Sequence, residues 1–441
     1  MFKLDLQRFA NNSGTVINAT EGYANNMTGV TTPYSEGGGL SQEMKTYYSD
    51  YLIDMAEPKL VHDQFGQKRP IPKNNGKVIE FRKYDPLPKM TAPLTEGVTP
   101  KGQKLNMGTV SAEVKQYGGY IELSDVLLLA AIDNNLVQAT KVLGGQAGRT
   151  LDTITREVLS GGTNVQYAEG QVDDRCELVG GAASGNHYLT VDAIRRAVRY
   201  LKTQNAEPIN GSFVGIIHPD AAYDLMSDPK WVNVKTYSDP AGLYQGEIGK
   251  IENVRFVETS EAKIFTPTVK LTVASYEAAA GTTPNVGVTS GFKLTVKETI
   301  GTADVAKFMS SEYDIVLCDK DGGVSETVKV VGGLSTSGIL LLEAAPSFTP
   351  AAGDVICSDD GGFMGRAVYS TLILGENAYG TTELTGGGLE HITKQLGSAG
   401  TGDPLNQRAT AGWKATKAAV RLVEPYMVRI ETASTFDSDE N

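Results

Sequence analysis

The 441-residue sequence is poor in the side chains on which most enzymes depend, with three cysteines, four histidines and two tryptophans. Cys176, Cys318 and Cys357 form no CxxC pair, and so sparse and odd a set argues against a disulfide framework and fits a reducing compartment. His62, His187, His218 and His391 do not stand at metal-ligand spacing to one another or to a cysteine. A phosphate-binding GxxxxGK loop is absent: Gly249-Lys250 lacks the upstream glycine and is followed by Ile251. No GxSxG elbow occurs, and DKDGGVSE at 319 to 326 lacks the first ligand and the spacing of a calcium loop. The expectation is a protein without catalytic, cofactor-binding or metal-ligating residues, and not an enzyme.

Long apolar runs are missing too. The longest, VLLLAAI at 126 to 132, is far below the roughly 18 residues that span a bilayer. The opening MFKLDLQRFA interrupts its apolar residues with Lys3, Asp5 and Arg8, which leaves no signal-peptide core. A soluble product made in the cytoplasm, without a membrane partner, is expected. Net positive charge is also lacking: the formal charge is -12, which argues against a protein that coats nucleic acid through its phosphates. What is present is ordinary globular composition, 40% hydrophobic and 21% charged, in a chain long enough for two or three domains.

Texture changes along the chain mark its organisation. Residues 11 to 40 are rich in Asn, Thr, Gly and Ser and read as an extended arm. SQEMKTYYSDYLIDMAEPKL, from Ser41, has the spacing of a short amphipathic helix. Between 66 and 118, six prolines separate two β-patterned runs, KVIEFRKY and LNMGTVSAEVKQYGG. Ten Lys or Arg against four Asp or Glu give this stretch a net charge of +6 inside an acidic protein. Prolines exclude a central sheet position, so it reads as a long exposed two-stranded loop. Read blandly, it is a solvated hairpin; read sharply, it meets an acidic surface, such as another copy of the chain.

Residues 121 to 160 follow Ser124 with a helical pattern in which Leu129, Ile132, Leu136, Leu143, Ala147, Leu151, Ile154 and Val158 share a face. Gly144, Gly145 and Gly148 predict a bend or a close contact midway. A helix over 189 to 205, a buried strand SFVGIIHP, a short helix PDAAYDLMSD and a strand IENVRFVET then indicate an α+β domain. From 266 to 362 six short β-patterned segments alternate with turns, as in a β-sandwich, with twelve acidic and six basic residues. The α+β texture resumes at 363 with AVYSTLILG and ends in the β-run ATKAAVRLVEPYMVRIETA, in which Pro425 marks a bulge or an edge. The β-rich module thus reads as an insertion.

One stretch invites chemistry: GGGLEHITKQLGSAGTGDPLNQRATAG, residues 386 to 412. It is a phosphate loop, a metal site or a bent piece of scaffold. GSAGTG at 397 to 402 has the reversed spacing of a dinucleotide loop and no strand immediately before it, which favours the scaffold. A nucleotide-binding enzyme or hydrolase built on His391 and Lys394 stays as a competing reading.

Three segments then carry a resemblance: MFKLDLQRFA at the start, IGKIENVRFVETSEAKIF at 248 to 265, and YSTLILGENAYGTTELTGGGLEHITKQLGSAGTGDPLNQRATAGWKATKAAVRL at 369 to 422. With the order of arm, basic loop, long helix and α+β domain, they resemble the major capsid proteins of tailed phages with the Hong Kong 97-type fold, and within them the phage N-four type. The likeness spans most of the chain except about 266 to 362.

The resemblance implies an α+β capsid fold, with an N-terminal arm and short helix at 1 to 50 and an E-loop region at 51 to 120. A peripheral domain with the spine helix follows at 121 to 185. The axial domain is expected at 186 to 265 and 363 to 400, an inserted all-β sandwich-like domain at 266 to 362, and a return to the peripheral domain at 401 to 441. It also implies a structural protein that assembles as hexamers and pentamers into an icosahedral or elongated head around double-stranded DNA, bound without sequence specificity. A separate scaffolding protein and a portal protein are the expected partners, and the binding of decoration proteins stays open. The place would be the virion capsid, assembled in the host cytoplasm. An encapsulin-like bacterial compartment shell, which shares the fold, is the alternative.

The loop's cations become candidates for contacts between subunits: Lys68, Arg69, Lys73, Lys77, Arg82 and Lys83, then Lys89, Lys101 and Lys104. Glu390, Lys394 and Arg408 join them from the glycine-rich stretch. Some family members cross-link a loop lysine to a neighbouring asparagine, and Lys89, Lys101 or Lys104 has the amine for it. The inserted module is expected on the outer face of the shell, where an insertion costs little closure entropy.

Overall fold

The computed structural model describes residues 61 to 436 except 71–76, 85–86, six positions between 92 and 101, 127–134, 169–171, 180–186, 233–248, 278–291, 311–313, 321–323, 335–337, 383–388 and most of 395–406. The expected arm and its short helix, Lys73 and Lys101 lie outside the described residues, as do the side chains of Lys83 and Glu390. The chain forms two compact units, each assembled from separated segments. Among the described residues, no helix is long and apolar enough to cross a membrane.

In the first unit the two β-patterned runs of the basic loop pair as expected. Val78–Tyr84 and Met107–Glu113 are antiparallel, with Ile79 opposite Ala112 and Phe81 opposite Val110. Alternation puts Ile79, Phe81 and Ala112 on the buried face and Val78, Glu80 and Arg82 on the exposed one. The next strand, Lys115–Ser124, runs through residues expected to lead into the helix. It pairs over ten residues with Arg408–Lys417, which in turn pairs with Leu389–Lys394. The stretch expected to be a bend therefore contains two strands of a three-stranded antiparallel sheet.

The long helix is described over Asn135–Ser160; its residues to Leu151 belong to the first unit and those from Asp152 to the second. Its buried row is Ala139, Leu143, Ala147, Leu151, Thr155 and Leu159, one residue every four. Ile154 and Val158, assigned to the same face from the sequence, are only half-buried, because a spacing of four follows the helix surface where Leu151 and its neighbours pack. The close contact expected at the glycines is not found at two of them: a Cβ on Gly144 or Gly148 would meet nothing within 4 Å.

The second unit is built on a seven-stranded mixed sheet. Its order is Val165–Tyr167, Met427–Thr432, Val368–Leu374, Phe213–Ile217, Val254–Glu258 and Lys250–Ile251, with Ile264–Phe265 also pairing to Val368–Leu374. Helices Val191–Thr203 and Pro219–Ser227 cover one face through Ile194, Val198, Leu201 and Leu225, packed on Phe213, Tyr369, Ile373 and Ile430. Leu159, at the end of the long helix, joins the other face against Val214, Ile216, Leu372 and Leu374. Every residue of Val368–Leu374 is buried, as expected of a strand covered on both sides. Lys250–Ile251 turns into Val254–Glu258 through Glu252 and Asn253, both at positive φ, the two-residue hairpin geometry.

Residues 401 to 441 contribute to both units: Arg408–Lys417 lies in the first, while Met427–Thr432 enters the large sheet of the second. Between them lie the short strand Ala419–Arg421 and a single 3-10 turn, Glu424–Tyr426, which holds Pro425.

Residues 270 to 358 form seven antiparallel strands, close to the expected segments, plus a helix Thr302–Phe308 that the strand pattern did not foretell. They make one continuous path rather than two separate sheets. It begins at Ser325–Val328 and ends at Val330–Leu334, strands joined by Lys329 alone, so the sheet curls round one interior. Leu271, Val273, Leu294, Leu317, Leu340 and Ile356 fill it, with Val305 and Phe308 from the helix. Its outer face, Val316, Cys318, Val355 and Cys357, packs on Phe363 and on Cys176 and Val179. All three cysteines are free.

Two histidines of the second unit serve as neutral acceptors. His187 Nδ1 accepts from the Val179 N–H at 2.9 Å, and His218 Nδ1 accepts from the Asp220 N–H at 3.2 Å at the start of its helix. Burial holds both imidazoles below their usual range, against the opposing pull of Glu177 and Asp220 respectively. Below a pH of about 6.5 the unfolded chain therefore binds more protons than the folded one, so stability is retained above that pH and lost as pH falls further. The urea midpoint should drop between about pH 7.5 and pH 5.5. His187→Asn with His218→Asn, which keep an acceptor that does not titrate, should flatten that drop; an unchanged slope would remove the two histidines from the account.

Candidate assembly interface

The exposed face of the three-stranded sheet and the basic hairpin, both in the first unit, hold most of the candidate residues. Arg408–Lys417 alternates: Ala409, Ala411, Trp413, Ala415 and Lys417 are buried, while Arg408 and Lys414 are exposed and Thr410 half-exposed. The buried face meets the long helix, where Trp413 Nε1 donates to Gln146 Oε1 at 3.1 Å. Gly119 leaves room there: a Cβ would lie 3.0 Å from that same Gln146 oxygen and 3.3 Å from the Trp413 ring nitrogen, so those side chains would have to give way.

On the opposite face lies a hollow of about 650 Å³. Its floor is Gly412, where a Cβ would come within 2.9 Å of Tyr120 Cβ. Tyr120 and Ile392 flank that floor, 69% and 42% exposed. The rim carries Lys394, Arg408, Lys414 and Glu122. Arg408 Nη1 approaches Glu122 Oε2 at 3.7 Å, an exposed pair worth at most about 1 kcal/mol. Thus Lys394 and Arg408, chosen from the sequence, do converge on one surface. Glu390 is placed by register opposite Lys414. The surface offers aromatic and aliphatic contact with cations at its edge, without the geometry of a nucleophile and base. Among the described residues, no group of three or more His, Cys, Asp or Glu can hold a metal ion.

Along the hairpin Lys77, Arg82, Lys89 and Lys104 are exposed, as are Lys68 and Arg69 before it. Charge alone understated this element. Leu87, Met90, Leu105 and Met107 are each at least half exposed, a density of bare apolar side chains that a solvated hairpin does not need. Their signal was present in the sequence as Leu and Met beside the prolines of a polar stretch.

The phage capsid protein family matches residues 129–304, from the long helix into the first two strands of the curled module. No curated protein matches the sequence. Among solved structures, the capsid of Ralstonia phage GP4 is similar over 93% of this chain and 100% of that one, at 11% identity and a TM-score of 0.50. The capsid of cyanophage P-SCSP1u aligns over 92% and 94% at 12% identity and a TM-score of 0.46. The head of Helicobacter pylori bacteriophage KHP40 aligns over 88% and 92% at 12% identity and 0.44. Across nearly its whole length the chain therefore has a phage capsid fold, of the α+β type expected.

The double variant Lys394→Glu, Arg408→Glu changes only exposed charges, so its melting temperature should stay within about 2 °C of wild type. Particle yield in cells should fall severalfold. Full yield would show that these side chains are solvated and that only the strands of this stretch matter.

Proposed function

We propose that the chain is the structural subunit of a phage head, copies of which assemble as hexamers and pentamers into a closed shell around double-stranded DNA. The observation that carries this reading is the capsid family match of residues 129–304 within a chain whose fold follows the GP4 capsid almost end to end. The exposed hairpin supports it. Surface of this kind is satisfied only by a partner, and a subunit that buries it in the shell has a stability tied to association. The first unit then takes the roles of E-loop and peripheral domain, and the large sheet with its two helices those of the axial domain.

A net charge of -12 suits a container that must hold DNA without adhering to it. A scaffolding protein guides closure and a portal occupies one vertex; assembly takes place in the host cytoplasm. The curled module faces outward, where its outer strands meet solvent rather than DNA. The chain acts by assembling and performs no catalysis.

Expression of the chain with its scaffolding protein, followed by negative-stain imaging and nuclease-protected DNA measurement in infected cells, tests the reading. Closed shells that become DNA-filled heads are expected. Small shells enclosing a protein cargo would point to a bacterial compartment instead, and persistent monomers would overturn both. Met90→Asp with Leu105→Asp should abolish shells while leaving the monomer soluble and its melting temperature within about 2 °C.

A further inference from the structure

Helix Val191–Thr203 hides an apolar face and shows a cationic one. Val191, Ala193, Ile194, Ala197, Val198 and Leu201 are buried in the core beneath it, while Arg195, Arg196, Arg199 and Lys202 are exposed. From Ala193 to Ala206 the sequence has no Asp or Glu, although the chain holds 52 acids against 40 Lys or Arg. The four cations stand three, four or seven positions apart and so form one stripe about 10 Å long.

Helix stability does not account for the stripe. Arg195 with Arg199, Arg196 with Arg199, and Arg199 with Lys202 are like-charge neighbours three or four residues apart, an arrangement that destabilises a helix. Lys202 alone is placed in the last turn, where a cation faces the negative end of the helix dipole. The first end is compensated: Arg195 Nη2 lies 2.8 Å from Glu252 Oε1 and its Nη1 3.2 Å from Asp192 Oδ1, and Asp192 also pairs with Lys230. Among the described residues, neither Arg199 nor Lys202 has a carboxylate at ion-pair distance.

The chemistry of the face selects its partner. A protein interface carries an apolar centre inside a polar rim, and this helix exposes no large apolar side chain. Three of the four cations are arginines, whose planar guanidinium donates two parallel hydrogen bonds to phosphate oxygens. Duplex DNA places a phosphate about every 3.4 Å of axis on each strand, so a stripe of about 10 Å spans about three phosphates.

We infer that the exposed face of Val191–Thr203 is where the shell touches the double-stranded DNA it encloses, through sequence-independent contact of Arg196, Arg199 and Lys202 with the phosphate backbone. The inference rests on the shell reading above and adds to it a named surface, which must then lie on the inner side of the shell. The net charge of -12 weakens each contact. One copy therefore holds DNA loosely, and many copies in a closed shell act together without fixing the duplex in place.

Fluorescence anisotropy of a labelled duplex of about 30 base pairs, titrated with the purified chain, tests this. Binding is expected at about 0.02 M sodium chloride, and the logarithm of affinity should fall with the logarithm of salt at a slope of about -3. Arg199→Glu with Lys202→Glu should weaken binding at least about tenfold and flatten the slope to about -1. The first of these substitutions puts a carboxylate four residues from Arg195 and three from Arg196, pairs that favour the helix, and a melting temperature within about 2 °C of wild type checks the fold. Arg199→Lys with Lys202→Arg keeps the charge and should bind as the wild type does. In DNA-filled heads, ultraviolet cross-links to nucleotides should map to residues 193–206, and these with the wild-type slope decide if the reversed variant does not fold.

A wild-type chain that does not bind at low salt, equal binding by the reversed variant, or cross-links confined to other segments would overturn the inference and leave the shell reading standing. A reversed variant that loses its scaffolding protein but keeps wild-type DNA affinity would also overturn it, by making the stripe a protein contact. Duplex binding through the stripe by a chain that never closes into shells would support the contact and count against the shell reading alone.

Discussion

The second unit depends on one buried carboxylate. Glu431, fully excluded from solvent, accepts from Arg175 Nε at 2.7 Å and Nη2 at 2.8 Å, and from Arg429 Nε at 2.7 Å. Such a charge is tolerable only because both oxygens are paired. Arg429 also donates to the carbonyls of Ser160 and Gly162 at the end of the long helix, while Arg175 donates to the Asp360 carbonyl at 3.2 Å. The Arg175 guanidinium lies 3.7 Å from the Phe265 ring centroid. One acid thus joins the last strand of the sheet, the end of the helix, the turn at 175 to 177 and the exit of the curled module. These segments lie up to 271 positions apart in the chain, from Ser160 to Glu431. The module is anchored to its host by this cluster and by the Cys176, Val179 and Phe363 contacts, so an insertion of about a hundred residues is held firmly at its base.

Local pattern made much of the fold legible. Thr190 caps Val191–Thr203 through its side chain, as a threonine before an amphipathic run suggests, and the uniformly apolar Phe213–Ile217 proved to be a strand covered on both faces. Long-range pairing was less legible. Nothing local assigns Arg408–Lys417 to the small sheet and Met427–Thr432 to the large one, since both are β-patterned and only the short strand Ala419–Arg421 and the 3-10 turn at Glu424–Tyr426 lie between them. The helix Thr302–Phe308 escaped notice because its seven residues follow a glycine and lie among strands, too few turns for a periodic signal.

The candidate interface was half legible. Lys394 and Arg408 were chosen as charges in a glycine-rich stretch, and strand alternation brings both to one face. Tyr120, Ile392 and the floor at Gly412 were missed, because a hollow is made by register across three strands that are far apart in sequence. On the hairpin, a charge count drew attention to the lysines and away from Met90 and Leu105, whose exposure only tertiary structure reveals. Together these elements describe a second unit with a well-filled core and a first unit that exposes apolar and cationic side chains.

Urea unfolding of Glu431→Gln, read together with amide hydrogen exchange over 175–179 and 363–365, tests most directly whether one buried carboxylate ties host and module. The substitution leaves the buried Arg429 and the part-buried Arg175 guanidinium without their counter-charge, so the account predicts a loss of about 3 kcal/mol and faster exchange in both segments together. Wild-type stability with unchanged protection in either segment would contradict it.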